Sequence, residues 1–209
     1  SVSAFLLNRS SDLEIMKVYI ESYGCTVNKA DGQIIAGVLL ENDIDIVDSM
    51  DEADVIIVNT CYVKLPTENK VVYKIQKLQE TYPDKKIIVG GCMVEIDPEK
   101  LDKIGPDCSW IGPHQLNKAA DGVKGAYCGE VIRECGFSKE SKVGVPKVTD
   151  DSLIHIIQIC EGCLGACTFC CTLFARGPLN SYPIVDIVAE ATEAIENGAC
   201  EIHLIAQDT

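Results

Sequence analysis

Three short apolar runs, each ending on a cysteine, constrain the first half of this chain more than any other feature. They read KVYIESYGC at 17–25, DVIIVNTC at 54–61 and KIIVGGC at 86–92. Runs this short and continuous suit strands buried on both faces, as in parallel sheets covered by helices. Helical patterns fill the gaps. Asn28 to Glu41 sets Ile34, Ile35, Val38 and Leu39 at helical spacing before Asn42-Asp43 closes it. Thr67 to Tyr82 does the same with Val71, Val72, Ile75 and Leu78, and Pro83-Asp84 ends it. Short strands are expected at Asp45 to Val47 and Ser109 to Gly112, and further helices at Pro98 to Ile104 and Gln115 to Val123. The pattern predicts an α/β fold: a doubly wound parallel-sheet domain over about 16–125.

Residues 126–151 break the pattern. Glycines 129, 136 and 144, Pro146 and mixed charge suggest a linker or hairpin. A second unit is expected over 152–209. LIHIIQI at 153–159 reads as a strand, 161–180 as a cysteine- and glycine-rich loop, and 184–197 as a helix. That helix should turn Ile184, Ile187, Val188, Ala191 and Ile195 inward, stop at Asn197-Gly198 and lead into a strand from Glu201 to Ala206. Strand, loop, helix, strand is the first part of a (β/α) barrel or open sheet. The ends are abrupt. The patterned sequence starts at Met16, so residues 1–15 read as an extension, and Thr209 follows a strand-like run. The chain is expected to be the truncated front part of a longer protein.

Composition narrows the classes. Of 209 residues 47% are hydrophobic, with a mean hydropathy of +0.13, which supplies a core and excludes intrinsic disorder. No apolar run approaches the roughly 18 residues of a membrane span, so no membrane is expected. Thirty-two acidic against 18 basic side chains give a net charge of −14, which repels phosphates. These residues alone are therefore not expected to grip nucleic acid strongly. The 12 cysteines do not suggest a disulfide scaffold, because the chain has long helix and strand patterns. Nor is there a secretion signal: Ala4-Phe5-Leu6-Leu7 is too short for a signal core. A reducing, cytoplasmic setting is expected, and there clustered thiols point to metal or redox chemistry.

Cys163-Leu-Gly-Ala-Cys167-Thr-Phe-Cys170 is the sharpest local motif. Three soft thiolates in one loop suit iron–sulfur or zinc. Glycines 162 and 165 let the backbone wrap a bulky group. Three ligands on a cubane cluster leave a fourth iron open to substrate. The alternative is a four-cysteine zinc site with Cys171 or Cys160 added, although adjacent Cys170 and Cys171 point in different directions. The second group is dispersed. Cys25, Cys61 and Cys92 each follow a strand, and the carboxyl ends of parallel strands share one edge. Taken singly each reads as a buried structural cysteine; the threefold repetition favours convergence. Cys108 and Cys200 read as core, Cys128 and Cys135 as incidental, and Cys160 and Cys171 as bystanders. Arg176 is a candidate partner for a carboxylate or cofactor, or for a surface salt bridge. Asn28 and Asn59 should order the cysteine loops. Lys64, Lys70, Lys74 and Lys77 form a basic stripe, read as an exposed helix face.

The Cys163–Cys170 loop resembles that of the radical S-adenosylmethionine (SAM) superfamily. There, three cysteines bind a [4Fe–4S] cluster whose open iron chelates SAM. The ordered combination GCTVNKADG at 24–32, NTC at 59–61, GGC at 90–92, EGCLGACTFC at 161–170 and Ala175-Arg176-Gly177 resembles the methylthiotransferase family of radical SAM enzymes. The resemblance covers nearly all of 16–209. It implies an amino-terminal α/β domain with an auxiliary [4Fe–4S] cluster on Cys25, Cys61 and Cys92. It also implies a radical SAM (β/α) barrel with its cluster on Cys163, Cys167 and Cys170, and a carboxyl-terminal nucleic-acid-binding domain. SYPIVDIV at 181–188 and AQDT at 206–209 are similar to the archaeal and eukaryotic branch, which acts on threonylcarbamoyladenosine beside the tRNA anticodon. Thr172-Leu173-Phe174, where many bacterial members carry a proline and an aromatic residue, favours the same branch.

By that resemblance the expected activity is methylthiolation of adenine carbon two. A deoxyadenosyl radical from one SAM would activate the base, the auxiliary cluster would carry sulfur, and a second SAM would supply the methyl. The expected partners are tRNA, SAM and an electron donor. Two alternatives stand beside it: methylthiolation of a ribosomal protein aspartate, and a non-catalytic iron–sulfur or zinc module. These 209 residues alone are expected to bind clusters without turning over.

Overall fold

The computed structural model describes residues 15–62, 65–149 and 153–208; the expectations placed on residues 1–14, Lys64 and Thr209 lie outside them. The first half runs β1 (Lys17–Ser22), α1 (Thr26–Glu41), β2 (Asp45–Ile46), β3 (Val55–Thr60), α2 (Leu65–Thr81), β4 (Lys86–Gly91), α3 (Cys92–Ile96), α4 (Pro98–Ile104) and β5 (Ser109–Ile111). A 3-10 turn at Leu116–Lys118, α5 (Ala119–Tyr127) and β6 (Arg133–Glu134) complete it. The strands form one parallel sheet in the order β2-β1-β3-β4-β5-β6.

Alternation along β3 shows why the sheet is covered on both sides. Val55 and Ile57 join a core with Ile34, Ile35 and Leu39 of α1 and Val123 of α5. Ile56 and Val58 join a second core with Val71 and Ile75 of α2, Met93 of α3 and Leu101 of α4. Successive strand side chains point to opposite faces, so a strand between two helical layers must be apolar throughout.

Two local features differ from the sequence reading. The segment expected as a linker or hairpin contributes a sixth parallel strand instead. In β6 the Arg133 guanidinium lies 3.6 Å from the Trp110 ring centroid and 2.9 Å from the Asp102 carboxylate. The backbone amides of Trp110 and Gly112 donate to the Ile132 and Glu134 carbonyls, each at 2.7 Å. A two-residue strand held by one stacked arginine leaves almost no periodicity to read. The second difference is α3, which starts on Cys92 directly after β4.

The second half runs β7 (Ile154–Gln158), β8 (Cys160–Glu161), α6 (Thr172–Arg176), β9 (Asn180–Ser181), α7 (Ile184–Glu196) and β10 (Glu201–Ile205). β7 and β10 pair in parallel across α7, one βαβ unit. β8 and β9 pair antiparallel and tie the ends of the cysteine loop together.

The inward face expected for α7 is corrected. Ile187 and Ala191 pack on Ile157 and Tyr182, but Ile184, Val188 and Ile195 are exposed, as is Cys200. The sheet under α7 is two strands wide among the described residues, too narrow to cover a full apolar stripe.

Candidate functional site

The first cysteine group sits where the sheet order reverses. β1 has β2 on one side and β3 on the other, and such a switch opens a crevice beyond the carboxyl ends of the strands. Cys25 follows β1 and caps α1, Cys61 follows β3, and Cys92 follows β4. Cys25 is exposed, and Cys61 and Cys92 are buried. Gly24 brings the first two loops together: it has φ +118°, and a Cβ there would lie 2.4 Å from the Cys61 Cβ. Only glycine tolerates both conditions.

Asn28 orders all three loops, as expected of it. Its Nδ2 donates to the carbonyls of Tyr23 at 2.8 Å and Thr60 at 2.7 Å, and its Oδ1 lies 3.7 Å from the Cys92 Sγ. Asn59 donates to the Asn28 carbonyl at 2.7 Å and to the Ser22 hydroxyl at 3.2 Å. Burial pushes the Cys92 thiol pKa up, opposed by the neighbouring Arg176 guanidinium; Cys61 lies within electrostatic reach of the same thiol.

The second group, Cys163, Cys167 and Cys170, lines one cavity of about 220 Å³ together with Gly165, Thr172 and Phe174. Gly165 leaves room beside the sulfurs: a Cβ there would lie 3.3 Å from the Cys163 Sγ and 3.6 Å from that of Cys167. The Thr172 hydroxyl lies 3.2 Å from the Cys170 Sγ and lowers that thiol's pKa. The Asp208 carboxylate lies 3.5 Å from the Cys163 Sγ.

Among the described residues no three of His, Cys, Asp and Glu converge on a single-ion position. A zinc ion needs its ligands drawn around one centre, whereas a cubane spreads thiolates over separate corners. Three cysteines lining one cavity, with Gly165 leaving room beside the sulfurs, are a donor set that suits a soft thiophilic metal group.

The loops of the two groups meet at Cys171. Cys171, expected as a bystander, lies 3.8 Å from the Tyr62 carbonyl and within electrostatic reach of both Cys170 and Cys61.

Arg176 is buried, and both of its Nη atoms are paired. It lies 2.6 Å from the Asp31 carboxylate and 3.1 Å from that of Glu161, and it donates to the Asn28 Oδ1 at 2.8 Å. Its donors therefore go to protein acceptors. Lys142 bridges the same carboxylates at 2.8 and 2.5 Å, and the Gln158 Nε2 donates to Asp31 at 2.9 Å. Burial alone would raise the Asp31 pKa, but Arg176 and Lys142 override it and hold the carboxyl below its ordinary range. Sequence reasoning missed Asp31, Lys142, Gln158 and Glu161. One signal was available: Asn28 and Asp31 stand three apart on the buried face of an otherwise apolar helix, so they should share an unseen polar partner.

Fold and site together define an α/β protein with two groups of three thiols, one dispersed over strand ends and one in a single loop. Residues 17–112 match the family described as "Uncharacterized protein family UPF0004". The chain is 56% identical over 194 residues to a protein of Methanothermobacter thermautotrophicus named "Probable threonylcarbamoyladenosine tRNA methylthiotransferase", covering 93% of this chain and 46% of that one. It is 36% identical over 202 residues to the Homo sapiens protein named "Threonylcarbamoyladenosine tRNA methylthiotransferase", covering 93% of this chain and 34% of that one. This chain spans less than half the length of these curated relatives. Among solved structures, the radical SAM methyltransferase TsrM from Kitasatospora setae, which holds cobalamin and a [4Fe–4S] cluster, superposes with a TM-score of 0.57 at 12% identity. That match covers 93% of this chain and 48% of the other, and it bears on the fold alone.

Proposed function

We propose that this chain is the cluster-binding part of a tRNA methylthiotransferase that modifies threonylcarbamoyladenosine next to the anticodon. The observation that carries the reading is the meeting of the two cysteine loops, where the Cys171 Sγ lies 3.8 Å from the carbonyl of Tyr62, the residue after Cys61. The names of the relatives supply the substrate class. Cys163, Cys167 and Cys170 would hold one [4Fe–4S] cluster, and Cys25, Cys61 and Cys92 the other. When bound, the clusters supply an electron for reductive cleavage of SAM at one site and a thiophilic iron for sulfur at the other.

The protein's own residues do the rest. Thr172 orients Cys170 and favours its thiolate. Gly165 keeps side-chain bulk out of the cavity, and Asn28 holds three loops in register. The partners would be tRNA, SAM and a one-electron donor, in the cytoplasm. No helix among the described residues is long and apolar enough to cross a membrane. Turnover is expected to require the part of the relatives that this chain does not span.

Nucleoside mass analysis of tRNA from a strain lacking the gene tests the substrate. Loss of the methylthio group from threonylcarbamoyladenosine is expected, with ribosomal proteins unchanged. Unmodified ribosomal aspartate with normal tRNA would move the activity to the other substrate; no change in either would leave only a cluster-binding module.

A further inference from the structure

Ion pairs taken out of water gain little net stability over apolar packing, yet losing one partner is costly. Two such clusters stand among the described residues. In one, Glu190 sits 2.5 Å from Lys147 and 2.8 Å from His155, touching no cysteine loop. The other is centred on Arg176, and two of the groups it touches, Glu161 and Asn28, lead to cysteine loops. Arg176 ends α6, six residues after Cys170. Glu161 stands two residues before Cys163. Asn28 holds the residues just ahead of Cys25 and Cys61 and lies against the Cys92 thiol.

We infer that Arg176 is a positioning residue: its fork of donors joins Asn28 to Glu161 and Asp31, and so holds the Cys163–Cys170 loop at one fixed spacing from Cys25, Cys61 and Cys92. Its purpose rests on the two-site reading above; the link itself does not. Lysine cannot replace it. A single ammonium is a point donor, whereas the planar guanidinium reaches acceptors on several sides at once. A residue serving only to neutralise Asp31 and Glu161 would be replaceable by lysine.

Cysteine-resolved alkylation by iodoacetamide, on reduced and cluster-free protein, tests the inference whatever the iron count proves to be. Cys92 is only 4% exposed, and its Sγ lies 3.7 Å from the Asn28 Oδ1. With Arg176→Gln its alkylation should accelerate about tenfold, as local opening becomes easier once a buried acceptor loses its donor. Arg176→Lys should fail to restore the slow rate. Asn28→Ala cuts the same link from the other side, leaves the ion pairs in place and should match Arg176→Gln. Glu190→Gln, which breaks the second cluster, should leave Cys92 at the wild-type rate, and Cys108 should be unchanged throughout. In reconstituted protein, the spin–spin coupling between the reduced clusters should be uniform in the wild type and dispersed in Arg176→Lys. Full rescue by lysine, or equal acceleration in Glu190→Gln, would reduce Arg176 to general cohesion and overturn the proposal.

Discussion

At the scale of single residues, the site depends on backbone freedom and on compensated charge. Gly24 has a positive φ and no room for a Cβ against Cys61. Gly24→Ala should therefore lower stability by about 1–3 kcal/mol, as strained backbone positions do, and halve the iron retained after reconstitution. Chemical denaturation with parallel iron analysis checks both effects. Asp31 and Glu190 make a pH prediction. Both carboxyl pKa values lie below their ordinary 3.8 and 4.5 in the folded protein, because Arg176 and Lys142, and Lys147, outweigh burial. A depressed pKa contributes stability above the unfolded value, lost as pH falls through the folded one. The urea midpoint should drop as pH falls below about 4.5, and Asp31→Asn should blunt that drop. A midpoint independent of pH down to 3 would contradict the assignment.

At the scale of elements, the first half was largely legible. The apolar runs at 54–61 and 86–92 could only be strands buried on both faces, and they are β3 and β4. Cys25, Cys61 and Cys92 were readable as strand-end residues for the same reason. What stayed hidden lacked periodicity. β6 is two residues held by an arginine–tryptophan stack, and α3 is too short to show a pattern. The facing charges of Asp31, Lys142, Glu161 and Arg176 come from four distant stretches that no local window joins. α7 shows the opposite error. Its apolar stripe was real, but burial also needs a surface to bury against. Ile195→Lys, on that exposed stripe, should change stability by no more than about 0.5 kcal/mol. Ile57→Ala in the doubly covered β3 should cost about 2–5 kcal/mol. Thermal melts of the two variants decide whether the stripe is as uncovered as it stands.

At the scale of the whole molecule, the parallel sheet and the βαβ unit are two scaffolds that present thiols from loops at the ends of their strands. Between them runs a polar network, from Asn28 and Asp31 through Arg176 to Glu161, that links one set of loops to the other. That arrangement is what two clusters held at one separation would need. That reading requires two cubane clusters on one chain. Iron and acid-labile sulfide should be counted after anaerobic reconstitution of the 209-residue chain. About eight of each per chain are expected. The count should fall to about four when Cys163, Cys167 and Cys170 are replaced by alanine, and equally when Cys25, Cys61 and Cys92 are. A wild-type count of four or fewer, or loss of all iron from either triple replacement, would contradict it.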